Sequence, residues 1–61
     1  MLEDYPDLID IRDLQEILKI KRYSAINLIH NELPAFKQSG HWLITKESLI
    51  LYIEDMLTRQ E

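Results

Sequence analysis

The stretch from Asp10 to Lys46 leaves this chain few folds to choose from. Ile11 to Asn31 reads IRDLQEILKIKRYSAINLIHN: two short helical runs about a joint at Lys19-Ile20-Lys21. In the first run Ile11, Leu14, Ile17 and Leu18 share one helical face, opposite Arg12, Gln15, Glu16 and Lys19. Asp10 stands where a carboxylate can accept from free amides of the first turn, and Asp13 adds negative charge at the positive end of the helix dipole. Ile20, apolar between two lysines, is expected to plug the angle between the helices. A joint this tight often uses glycine, so Lys19 carries a conformational cost if its φ is positive.

The second run places Ala25, Ile26, Ile29 and Leu33 in one sector, with Leu28 on its flank. Tyr23, Ser24, Asn27, His30 and Asn31 share the opposite, acid-free sector. Leu33-Pro34 ends the helix, since proline disfavours α geometry in the residue before it. Two extended runs follow, Ala35 to Gln38 and His41 to Ile44, on either side of the chain's single glycine. Phe36, Trp42 and Ile44 are the candidates for the buried side of this hairpin; Lys37, Gln38, Ser39 and His41 form its exposed tip. Thr45 caps a last helix, with Glu47 in its first turn. Its stripe Leu49, Tyr52, Ile53, Met56 and Leu57 should close the core over the first helix and the hairpin. Leu51 faces water with Ile50 beside it; these two are a candidate contact patch for a partner. Met1 to Pro6 is read as a loose arm or a loop cover, and Leu8-Ile9 as a short extended segment. A steeply angled helix pair followed by a β-hairpin and a closing helix predicts a mainly α winged helix-turn-helix, one domain over residues 1–61 with residues 1–7 as a loose arm.

At 61 residues the chain sits near the lower size limit for unaided folding, and it has no cysteine to add a disulfide or a thiolate metal site. The longest apolar run, Leu49 to Ile53, is far short of the roughly 20 residues a membrane span needs. No signal-peptide layout is present either, so a cytoplasmic protein is expected. The net charge of −4 looks wrong for a nucleic-acid binder, but it is unevenly spread. Residues 1–16 carry −5 and residues 47–61 carry −3, whereas residues 17–46, with Lys19, Lys21, Arg22, Lys37 and Lys46 against Glu32, carry +4. Phosphate contact depends on the local field within about 8 Å more than on the total.

Catalytic chemistry finds no support in the residues. His30 and His41 have no partner at metal-ligand spacing, there is no glycine-rich phosphate loop, and the carboxylates occupy caps and solvent faces. A chain of this length scarcely encloses a substrate pocket. Neither a metal nor another cofactor is expected. What remains is the polar sector of the second helix, entered through Lys21 and Arg22. Asparagine can pair with adenine in the major groove, and arginine with guanine or phosphate.

The run LIDIRDLQEILKIKRYSAINLIHNELPAFKQSGHWLITKESLILYIEDM resembles the excisionase-type helix-turn-helix domains, relatives of the MerR DNA-binding head. The likeness is carried by Leu14, Leu18, Ile20, Ala25 and Leu28, by the ELPAFK segment, and by Trp42, Ile44 and Thr45 ahead of a capped helix. It implies a bacterial, phage or mobile-element protein, nucleoid-associated, that lays its second helix in the major groove with the wing alongside. Carried over by position, the reading residues are Arg22, Tyr23, Ser24, Asn27 and His30, with Lys37 and His41 on the wing; Lys21 joins them at the helix entry. The implied role is either directing a recombinase toward excision by bending DNA or regulating transcription. Implied partners are double-stranded DNA, and an integrase or a further copy of the chain on adjacent sites. The chain departs from the family in having Lys19 where glycine is common, Gln15 where a small residue is common, and Lys21 for serine or threonine. Leu43 stands in place of a wing arginine. The acidic balance and Leu43 keep open a different reading, a protein-interaction module that has lost DNA binding.

Overall fold

The computed structural model describes residues 1–60. Its elements are β1 (Leu8–Asp10), α1 (Ile11–Leu18), α2 (Arg22–Asn31), β2 (Phe36–Gln38), β3 (His41–Thr45) and α3 (Lys46–Arg59). Three helices around a small antiparallel sheet, with α1 and α2 joined tightly and the β2–β3 hairpin behind them, make a winged helix-turn-helix.

Each boundary has a local cause. The Asp13 amide donates to Asp10 Oδ1 at 2.8 Å and starts α1. The Ser48 amide donates to Thr45 Oγ1 at 3.1 Å and starts α3. Helix α1 stops because Lys19 turns left-handed, with φ 57° and ψ 49°. The Ile20 amide then reaches back to the Gln15 carbonyl at 3.1 Å, the closure that follows a left-handed residue at a helix end. Lysine bears a steric cost in that conformation that glycine does not. Lys19→Gly is therefore expected to stabilise the fold by about 0.5–1 kcal/mol, after the larger backbone entropy glycine loses on folding. An unchanged or lower urea midpoint would show that the angle is not strained. Ser39 and Gly40 also have positive φ, 52° and 80°, the pairing that a two-residue hairpin turn following the strand twist requires.

The sheet is larger than the expected hairpin. Leu8-Ile9 forms strand β1, which pairs antiparallel with β3, giving the order β1-β3-β2. Ile9 faces Ile44, and both are fully buried. With Ile11, Leu14, Ala25, Ile29, Leu33 and Leu49 they make the core, to which all three helices and strands β1 and β3 contribute. Ile20 packs against this core from the joint, as its place between two lysines predicts.

Three expectations are corrected. Phe36 is 41% exposed rather than buried. The register pairs Phe36 with Leu43 and Lys37 with Trp42. Because strand side chains alternate, Phe36 falls on the outer face while Lys37 joins Trp42 and Ile44 on the side of the core. The stripe on α3 fades toward its end: Leu49 is fully buried, Tyr52, Ile53 and Met56 are half-buried, and Leu57 is 61% exposed. A helix of 14 residues is about 21 Å long and outruns a core of this width. Leu51 is exposed as expected, while Ile50 is half-buried.

The third correction concerns residues 1–7, which cover the sheet end and are not loose. Leu2 and Tyr5 pack on the core, and the Tyr5 hydroxyl donates to Glu16 Oε1 at 2.7 Å. Lys46 Nζ donates to the Tyr5 carbonyl at 2.9 Å and approaches the Leu2 carbonyl at 3.3 Å. Its backbone amide donates to Asp7 at 2.7 Å. Lys46 thus spends its charge on the arm and leaves the basic middle of the chain.

Asp13 carries a pH signature. Burial, then the neighbouring Asp10 carboxylate, raise its carboxyl above the ordinary 3.8. The folded state therefore holds this proton more tightly than the unfolded chain, and the associated stability, complete below 3.8, is lost as pH rises through the folded value. Asp13→Asn should accordingly gain stability relative to the parent as pH moves from acid to neutral. Equal urea midpoints for the two chains at both pH values would contradict this.

Candidate nucleic-acid interface

Helix α2 differs from the other two helices at its start. Asp10 and Thr45 cap α1 and α3, and both of those helices have an acid in the first turn. At the start of α2 no side chain caps the free amides, and no acid stands in its first turn. Lys21 and Arg22 stand there instead, both exposed. An uncapped helix start flanked by cations has the electrostatics to receive an anion such as a phosphate.

The polar sector of α2 is open to solvent. Tyr23 is 72% exposed, a large ring with no core role. Asn27 and His30 are exposed, and Ser24 is half-buried. No acid occurs between Arg22 and Asn31. Asn27 is not free-standing: Asn31 Nδ2 donates to its side-chain oxygen at 2.7 Å.

Trp42 joins this helix to the wing. His30 meets its ring edge-on, with centroids 5.6 Å apart and an interplanar angle of 87°. From the strand beside it, Lys37 Nζ lies 5.7 Å from the same ring. That pairing follows from the register, which sets Lys37 opposite Trp42. The aromatic ring therefore holds one group from α2 and one from the wing against a single surface.

A shallow cleft beside Trp42 is lined by Arg12, Arg22, Gly40 and His41, together with Asp10 and Ile11. Arg22 and the hairpin tip thus border one depression, with His30 and Lys37 against its tryptophan. His41 borders a second depression on the outer sheet face with Leu8 and Leu43, because alternation turns it away from Lys37. Lys21 is exposed at the joint, and no contact ties it to the cleft. Arg12 also lines this cleft, a placement that helical phase does not reveal. It lies opposite the apolar stripe of a supporting helix, which marked it as plain solvent surface. The cleft is bordered by the first turn of α1 and by the hairpin tip, and this sets Arg12 and Arg22 around one depression. Asp10, in the same cleft, partly offsets these cations while its carboxylate is engaged in capping α1.

Among the described residues no group of three or more histidine, cysteine, aspartate or glutamate side chains is placed to hold a metal ion. No described helix is long and apolar enough to cross a membrane. Compared with known proteins, residues 8–56 match a family model described as a helix-turn-helix domain. No curated protein and no solved structure matches the chain.

Proposed function

The chain belongs to the helix-turn-helix domain family, whose fold implies sequence-specific DNA binding, and we propose that it acts as an excisionase-type factor that bends its site. In this reading α2 lies in the major groove, where Tyr23, Ser24 and Asn27 meet base edges. Lys21, Arg22 and the uncapped start of α2 take phosphates of one strand, and Lys37 and His41 follow the backbone as the wing. Arg12 adds a further phosphate contact. The observation that supports the DNA reading is the convergence on Trp42: His30 of α2 and Lys37 of the wing meet one ring, which ties the two elements together. The bend is proposed on the resemblance to excisionases alone.

Selection from a randomised duplex pool, followed by titration of the selected site, tests the assignment. Asn27→Ala should cost about 1–3 kcal/mol of discrimination between sites. Lys37→Ala should weaken all duplexes about equally and lower the salt slope by about 0.9. Identical behaviour of the two variants would remove the division between reading helix and wing. The excision role predicts gel mobility that depends on where the site lies in the fragment, the sign of a bend. Binding with position-independent mobility would favour a small transcriptional regulator. Failure to shift any duplex at low salt would leave the protein-interaction module standing instead.

A further inference from the structure

We infer that Asn31 determines specificity through Asn27, by fixing which hydrogen-bonding atom Asn27 offers to a base. The inference rests on α2 being the helix that reads base edges. Asn31 Nδ2 lies 2.9 Å from the main-chain oxygen of Asn27 and 2.7 Å from its Oδ1. A main-chain carbonyl can only accept, so the Asn31 atom facing it is the amide nitrogen. That nitrogen has two hydrogens: one goes to the main-chain oxygen and the other to the side chain of Asn27. A donor at that place requires Asn27 to answer with its oxygen, because its own amide nitrogen would set donor against donor. The main-chain carbonyl thus dictates the polarity of both side chains in turn.

The consequence is chemical. A free asparagine presents donor and acceptor together and pairs with the N7 and N6 edge of adenine. Here one lone pair of Asn27 Oδ1 is taken by Asn31, which fixes the way the amide faces and leaves Nδ2 with both hydrogens unused. Asn27 is exposed on the acid-free sector, so this donor is available to a partner. In the major groove it suits bases that carry an acceptor: purine N7, guanine O6 or thymine O4. It is mismatched with cytosine, whose exposed group there is the N4 amine. Asn31 is a positioning residue in this scheme, one helical turn beyond the contact it controls.

The test is a selection from a randomised duplex pool carried out with the parent chain, Asn27→Ala, Asn31→Ala and Asn31→Asp. Asn27→Ala first locates the base pair that Asn27 reads. At that pair the parent should enrich acceptor-bearing bases and exclude cytosine. Asn31→Ala should relax that preference by roughly fivefold while leaving other positions as they were, a coupling of ordinary size for touching residues. Asn31→Asp is the sharper variant. A carboxylate only accepts, so it gives up the place beside the Asn27 main-chain oxygen. Turned to the Asn27 side chain alone, it draws the amide nitrogen toward itself, which leaves the Asn27 oxygen facing the DNA. The preference at that single pair should then move toward donor-bearing bases, cytosine above all. The added negative charge lowers affinity for every sequence and so cancels from the comparison between bases. Circular dichroism of the variants serves to show that α2 is kept. An unchanged preference in both Asn31 variants, where Asn27→Ala does erode it, overturns the role of Asn31 alone. If Asn27→Ala erodes nothing while the duplex is still bound, α2 is not the reading helix and both ideas fall; they fall together also if the parent binds no duplex.

Discussion

Leu14→Ala is expected to leave most of the chain unfolded near physiological temperature. Leu14 is fully buried between α1, α2 and the sheet, and truncating such a leucine typically costs about 2–5 kcal/mol. A core in a chain of this size rarely supplies more than about 3–5 kcal/mol, and no disulfide or metal supplements it among the described residues. For so small a domain the loss corresponds to a fall in Tm of roughly 10–30 °C, read by circular dichroism. Leu51→Ala, at a position 61% exposed, provides the contrast and should stay within about 0.5 kcal/mol of the parent. Similar melting of the two variants would mean that the buried cluster is not what holds the fold.

The second large effect is electrostatic. Replacing Arg12, Arg22 and Lys37 together by alanine should leave the fold intact, since all three are exposed. Net charge would go from −4 to −7. The basic cleft would then face the duplex with Asp10 as its dominant charge. If all three contact phosphates, the slope of log affinity against log salt falls by about 2.7, and binding at physiological salt is lost. Fluorescence anisotropy over a salt series measures it. A slope within about 0.5 of the parent value would show that these cations do not touch the phosphate backbone.

Much of the architecture is legible in the residues because it depends on local causes. The caps at Asp10 and Thr45, the break at Leu33-Pro34 and the turn at Ser39-Gly40 each act within a few residues: α1 and α3 begin directly after their caps, α2 ends two residues before Leu33, and the turn separates β2 from β3. Long-range matters were harder to read. Phe36 looks like a core residue by type, yet its side is set by strand register, and a one-residue difference in pairing decides between core and solvent. Leu57 sits in a sound apolar pattern, but nothing in a pattern says where the neighbouring elements end.

The candidate site shows the same division. Tyr23 and Asn27 were expected outward from helical phase alone, and they are exposed. Lys46 was counted among the cations of the basic middle, whereas its ammonium turns to main-chain carbonyls of residues 2 and 5, more than forty positions away in sequence. Arg12, on the solvent face of the supporting helix α1, borders the same cleft as Arg22. Both come from tertiary placement, which charge counts by block average away. The meeting of His30 and Lys37 on Trp42 likewise has no signature in spacing, because it joins α2 to a strand through a register.

The most direct measurement is a map of backbone amide shifts in the intact chain as a short randomised duplex is added at low salt. If α2 and the wing form the contact surface, the largest changes fall between Lys21 and Asn31 and between Phe36 and Trp42, with Arg12 also responding. Changes concentrated on Leu8, Ile50 and Leu51, or on the exposed end of α3, would contradict it, as would a spectrum that the duplex leaves unmoved.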